Sequence, residues 1–244
     1  MKLVRFMDPS GYERTGRLSN GAVETRSRTY SREAISLLPP CTPGKIICIG
    51  LNYEEHAEET DTEVPDRPKL FFKGPNTVRG PNVPLNLPFK KKRVDAEAEL
   101  GVVIDNQAQS IPRGEAMKVV RGFTCFNDLS NRTDHRQEQN WIRGKAFDGA
   151  APIGPVLTTP DEVPADASIE NRVNGELRQS SSRDRMIFDI PELIEEITRY
   201  LTLEPGDVIA TGTPRGVEPL EDGDTVEISV EGIGTLRNRI HFSE

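Results

Sequence analysis

The chain has 244 residues, enough to bury a sizeable core as one large domain or as a main domain with a small appendage. Its formal net charge of −8 argues against nucleic acid or an anionic membrane surface as the principal partner. Three cysteines, Cys41, Cys48 and Cys125, show no C-x-x-C spacing and are odd in number, which argues against a disulfide framework or a zinc site and fits a reducing cytoplasm.

No apolar run approaches a membrane span, and the apolar segment in Met1 to Pro9 is too short for a signal peptide, so a soluble cytoplasmic protein is expected. Residues 1–43 read as a small β-rich appendage, with a strand at Lys2 to Met7, a turn at Pro9 to Tyr12, and Pro39, Pro40 and Pro43 closing it. The main domain is expected over 44–244. Lys45 to Gly50 is a buried strand that leads into Asn52, and Asn52 with Glu55 makes an N-x-x-E capping pattern that predicts a short helix there. On that helix His56 and Glu59 are three residues apart and share a face, so the carboxylate can orient the imidazole. A base with its orienter is one reading; a surface pair on a helix that is acidic all round is the other.

From Val64 to Pro88 the chain is rich in proline and glycine, with Leu70 to Lys73 as one extended segment. Lys90 to Arg93 reads as a solvated basic turn. Val94 to Ile104, V-D-A-E-A-E-L-G-V-V-I, alternates as a strand, with Ala96, Ala98, Leu100, Val102 and Ile104 on one side and Asp95, Glu97 and Glu99 on the other. Glu97 and Glu99 then lie about 6.6 Å apart along the strand, so either water screens two like charges or a cation binds between them. A helix is predicted over Ile111 to Val119. Arg121 to Asp128 follows as an aromatic strand that ends in an acid. Asp128 is either the third carboxylate of a metal site or a turn residue. Three carboxylates without Cys or His form a hard oxygen set that suits Mg²⁺, Mn²⁺ or Ca²⁺ rather than zinc.

Lys145 lies among glycines in Trp141 to Pro155, either facing solvent or supplying a fixed positive charge. Asp189 to Tyr200 is the clearest helix, with Asp189 as cap, Pro191 in the first turn and Glu192 completing a D-x-x-E box. Gly206 to Val217 is a strand that runs into a Gly-Thr-Pro turn, where backbone N–H groups and the hydroxyls of Thr211 and Thr213 could cradle an anion. Gly223 to Val230 and Gly232 to Ile240 form a closing strand pair, and no internal repeat is present.

Five motifs in order, G-L-N-Y-x-x-H-A-x-E at Gly50 to Glu59, E-A-E-L-G-V-V-I at Glu97 to Ile104, N-D at Asn127 and Asp128, G-K-A-F-D at Gly144 to Asp148, and G-D-V-I-A-T-G-T-P-R-G-V, resemble the fumarylacetoacetate hydrolase family. The resemblance covers about Lys45 to Ile240. It implies a mixed, mostly β fold with a rolled sheet around the site and a few short helices, normally as a homodimer. It also implies one divalent metal that serves hydrolysis, decarboxylation or isomerisation of 2-oxo or enol acids. Carried over by motif, the metal ligands fall on Glu97, Glu99 and Asp128 and the catalytic groups on His56, Glu59 and Lys145. Substrate-binding positions fall on Asn52, Arg132, His135 and Thr213. The chain departs from the family pattern twice: Thr133 follows Arg132 and His135 takes the place of the usual glutamine, and Glu218 stands where a glycine is common. The activity these parts imply is Mg²⁺-dependent cleavage of an acylpyruvate-type 2,4-dioxo acid to pyruvate and a carboxylic acid. Oxaloacetate decarboxylation and hydroxymuconate-type isomerisation are the alternatives.

Overall fold

The computed structural model describes residues 1–89 and 92–243, so Lys90 and Lys91 of the expected basic turn lie outside it. Of that turn's other cations, Lys92 pairs with Asp134 at 2.6 Å and Arg93 with Asp95 at 2.8 Å.

Ile46–Ile49 is apolar throughout and buried throughout, the pattern of a strand covered on both faces. It runs parallel to Val208–Ala210 and antiparallel to Leu70–Lys73. These strands end a large mixed sheet whose neighbours are, in order, Ala98–Ile104, Val120–Asn127, Ala151–Thr158 and Lys2–Met7. Residues 1–37 continue that sheet outward, Lys2 pairing with Thr158 and Leu3 with Leu157. A second sheet of five strands holds Glu176–Ser182, Ser168–Val173, Thr225–Val230, Gly234–Phe242 and Leu85–Leu87. The main core lies between the sheets, where Leu100, Val102 and Ile104 of the first meet Ile169, Ile228 and Leu236. The protein is therefore a mixed, mostly β fold with a few short helices, as the family resemblance implied.

The alternation in the acidic strand holds, but two details differ from expectation. The pairing breaks at Ala96 and Glu97: Val94–Asp95 pairs with Ser130–Asn131, and Ala98–Ile104 pairs with Val120–Asn127. The acid face is also sealed, because every residue from Val94 to Ile104 is buried and Val103 packs with Phe126 and Ala210 in a second apolar cluster. Bulk water does not screen Glu97 and Glu99.

The expected helix over Ile111 to Val119 is a 3₁₀ stretch, Arg113–Val119, with Pro112 at its N-cap and the Ile111 N–H donated to Thr198 Oγ1 at 3.0 Å. The long helix Ile190–Tyr200 begins as expected, with Asp189 accepting from the Glu192 N–H at 2.9 Å. Glu192 does not reach back to close the box; its carboxylate pairs with Arg113 at 3.1 Å. No described helix is long and apolar enough to cross a membrane.

Candidate active site

Glu97, Glu99 and Asp128 come together because Ala98 pairs with Asn127, which sets the entry of one strand beside the exit of the next. The Asp128 N–H donates to the Glu97 carbonyl at 3.0 Å and the Glu97 N–H to the Asn127 side chain at 3.2 Å, so the backbone fixes both acids. All three are at most 4% exposed, and one carboxylate oxygen from each lies within 4.8 Å of the others.

Three buried carboxylates need compensating charge. Lys145 is 4% exposed, not solvent-facing, and its Nζ donates to Glu97 and to Asp128 at 2.7 Å each. Arg132 donates from Nε to Asp95 at 2.9 Å and from Nη2 to Glu97. Lys73, fully buried, puts its Nζ 2.7 Å from Asp128 Oδ1. An ammonium has three protons, and those of Lys73 go to the carbonyls of Leu129 at 3.2 Å, Lys145 at 2.5 Å and Ala150 at 2.9 Å. Asp128 Oδ1 thus has a positive charge beside it but no hydrogen-bond donor.

These neighbours divide the acids. Burial would raise Glu97, but the charges of Arg132 and Lys145 outweigh it and hold the carboxyl far below its usual range. Glu99 is pushed well above its usual range by burial and by the negative charges of Asp128 and Glu97; only the Gly212 N–H, donating at 2.9 Å, and the charge of Lys145 oppose the shift. Three hard oxygen donors, one acid forced toward its neutral form and one oxygen without a donor are what a divalent cation would resolve, so the residues fit such an ion.

The His56 and Glu59 pair forms as the spacing predicted. Helix Glu54–Glu59 brings His56 Nδ1 to 3.0 Å from Glu59 Oε2, and the Gly216 N–H donates to the other Glu59 oxygen at 2.9 Å. With Nδ1–H donating to Glu59, Nε2 is left as the acceptor. Both residues line a cleft of about 610 Å³ together with Arg132, His135, Trp141 and Val217. Arg132 connects this cleft to the acids, since it lines the one and bonds Glu97. A separate cavity of about 500 Å³, lined by Leu3, Arg5 and Arg121 among others, contains none of these groups.

His135 meets Trp141 edge to face, ring centroids 4.5 Å apart, and its Nε2 is sealed without a partner. Burial and then the charges of Lys145 and Arg132 lower its pKa to about 4. Asn52 does not cap the helix: its Nδ2 donates to the carbonyls of Phe188 at 3.1 Å and Thr211 at 2.7 Å, and its Oδ1 accepts from the Phe188 N–H at 2.7 Å. The helix instead starts at Tyr53 without a side-chain cap. In the Gly-Thr-Pro turn, Thr211 donates to the Leu100 carbonyl at 3.0 Å and Thr213 to that of Ala98 at 2.9 Å. The hydroxyl protons expected to cradle an outside anion are spent on the acidic strand, and the anions this turn holds are Glu99, through Gly212, and Glu59, through Gly216.

Sequence reasoning passed over two buried groups at this site. Lys73 had a signal, since a lysine in phase with buried Phe71 on a short strand must find a partner inside. Gln179 had none, in the polar run Glu176–Ser182, although it joins the halves of the site. It accepts from the Ala98 N–H at 2.9 Å and donates to Thr213 Oγ1 at 2.9 Å and the Pro214 carbonyl at 2.8 Å.

A family model described as fumarylacetoacetate (FAA) hydrolase C-terminal matches residues 45–241. The crystal structure of 5-carboxymethyl-2-hydroxymuconate delta-isomerase from Mycobacterium smegmatis superposes with a TM-score of 0.93 at 38% identity, covering 100% of both chains. The 2,4-didehydro-3-deoxy-L-rhamnonate hydrolase of Sphingomonas sp. (strain SKA58) is 40% identical over 208 residues, 81% of this chain and 73% of that one. The mitochondrial oxaloacetate tautomerase FAHD2B of Bos taurus is 38% identical over 250 residues, 98% of this chain and 79% of that one. These proteins carry different activities in their names. The match in sequence and in structure runs over nearly the whole chain, and this protein belongs to the fumarylacetoacetate hydrolase family of enzymes.

Proposed function

We propose that this enzyme hydrolyses the C–C bond of an acylpyruvate-type 2,4-dioxo acid, giving pyruvate and a carboxylic acid, with Mg²⁺ (or Mn²⁺ or Ca²⁺) held by Glu97, Glu99 and Asp128. The observation that carries the reading is His56, oriented by Glu59 at 3.0 Å, on the wall of a cleft that Arg132 connects to the acid cluster. When bound, the divalent ion supplies Lewis-acid stabilisation of negative charge on the 2-oxo oxygen. His56 Nε2 takes a proton from the water that attacks the 4-carbonyl, a general-base contribution of roughly 10²- to 10⁴-fold. The C3–C4 bond breaks, its electron pair passes to the pyruvate enolate, and a proton returned to C3 completes pyruvate. Lys145, already facing two carboxylates, offsets negative charge as it develops. Arg132 and His135 meet the substrate from the cleft wall. Asn52 and Thr213, whose polar atoms are engaged within the protein, serve it through the turn they hold.

A second reading uses the same groups for proton transfer without water, as in tautomerisation, isomerisation or decarboxylation of a 2-oxo acid. Relatives named as a tautomerase and an isomerase favour it. In either reading residues 1–43 are an appendage outside the chemistry and the enzyme is a homodimer, as the family resemblance implies, in the cytoplasm, in keeping with three free cysteines. The test is a panel of acylpyruvates, oxaloacetate and dienol acids, followed for pyruvate release with and without Mg²⁺. Metal-dependent pyruvate release from an acylpyruvate supports hydrolysis, and turnover of the other acids alone overturns it.

A further inference from the structure

Trp141 is the only tryptophan in the chain and lines the same cleft as the His56 and Glu59 pair. Its backbone is left-handed, φ 58° and ψ 15°, a conformation that bulky residues rarely adopt and that persists only where surrounding structure fixes it. The surroundings do fix it. The indole meets the Phe71 ring edge to face at 5.4 Å and the His135 ring likewise at 4.5 Å. His135 is held in turn by Gly144, where a Cβ would come within 2.6 Å of the His135 Cα.

Trp141 also belongs to two cavities. It lines the cleft of about 610 Å³ and also a groove of about 900 Å³ formed with Pro65, Pro68, Leu70 and Tyr200. Leu51 and Val217 add apolar lining to the same cleft as His56, and the His135 ring packs against the indole. A cleft of this size exceeds what a pyruvate unit fills, so the remainder receives the group on the 4-carbonyl.

We propose that Trp141, with the His135 ring set edge-on to it, is the specificity-determining wall of a distal subsite that takes a flat, aromatic or conjugated acyl arm. The inference rests on the acylpyruvate reading above. Lys69 and Arg136 also line the cleft and would suit an arm ending in a carboxylate, but both are exposed, where ion pairs contribute little. A half-buried indole held on two sides offers the arm a rigid face, and aromatic pairs add to area burial.

The test measures binding and turnover of benzoylpyruvate, acetylpyruvate and oxaloacetate by the wild type, Trp141→Ala and Trp141→Phe in Mg²⁺. The wild type is expected to bind benzoylpyruvate at least tenfold more tightly than acetylpyruvate by calorimetry, about 1.4 kcal/mol. That ratio should collapse in Trp141→Ala and persist in part in Trp141→Phe, which keeps a ring if the alanine variant fails to fold. Because Trp141 is the single indole, its fluorescence lifetime should change when benzoylpyruvate binds to the wild type. Equal binding of the two acylpyruvates, preference for oxaloacetate, a ratio unmoved by either substitution, or an unchanged lifetime overturns the subsite. Binding preference without cleavage overturns only the hydrolase reading and leaves the subsite standing.

Discussion

Glu99 concentrates the electrostatic problem of the site in one side chain. Its carboxyl is raised because burial and two neighbouring acids disfavour the anion, and the structure accepts this where a cation would reverse it. An acid whose folded-state value lies above its unfolded one binds its proton more tightly when folded. That contribution to stability is complete below the ordinary value of 4.5 and is lost as pH rises through the elevated range. Glu99→Gln removes the titration, so without metal the variant should gain stability relative to the wild type as pH rises above 4.5, and it should lose the rise in Tm that Mg²⁺ gives the wild type. Melting curves of both proteins across pH, in EDTA and in Mg²⁺, check this; a variant that still responds to Mg²⁺ contradicts it. His135 gives a second residue-scale prediction. With its pKa lowered to about 4, its ring should stay neutral by NMR from pH 8 down to pH 5, and a midpoint near the ordinary 6.5 would show that the burial described is wrong.

At the scale of elements, the site is a meeting of the two strand ends at Glu97 and Asp128 with the turn from Thr211 to Val217. The turn does two tasks through two N–H groups, one on Glu99 and one on Glu59. Gly216 performs the second at φ 95°, with the Arg178 carbonyl where a Cβ would stand. Gly216→Ala should therefore displace the turn, cost about 1–3 kcal/mol of stability and lower kcat/KM by loosening the orientation of His56. Paired melting and kinetic measurements check it, and unchanged kinetics would mean that Glu59 does not depend on this turn. The strand pattern of Ala98–Ile104, the helix pair His56 and Glu59, and the Asp189 cap were legible in the sequence because each is set by residues a few positions apart. The break at Ala96 and Glu97, the carboxamide of Asn52 and the partners of Lys73 were not. Those depend on groups far along the chain, such as Phe188 for Asn52 and Leu129, Lys145 and Ala150 for Lys73, and spacing carries no information about them. Gln179 is the extreme case, since a buried glutamine in a polar strand becomes visible only when the second sheet is laid against the first.

At the scale of the molecule, the large sheet brings its strand ends to one cluster of acids and cations, and the second sheet closes the opposite face. The Mycobacterium smegmatis isomerase shares this frame, and a shared fold does not by itself fix the reaction. The proposed homodimer should scatter light at twice the 27.1 kDa chain mass at micromolar concentration, and a monomer there contradicts the proposal. The central claim is that His56 activates water. Hydrolysis of an acylpyruvate needs that base, whereas oxaloacetate decarboxylation releases CO₂ and has no water to activate. The decisive measurement is both rates, on the wild type and on His56→Ala, at saturating Mg²⁺. Acylpyruvate cleavage should fall by roughly 10²-fold or more, about 2.7 kcal/mol of barrier, while decarboxylation falls much less. Equal losses in the two reactions, or a wild type that cleaves no acylpyruvate, would contradict the account.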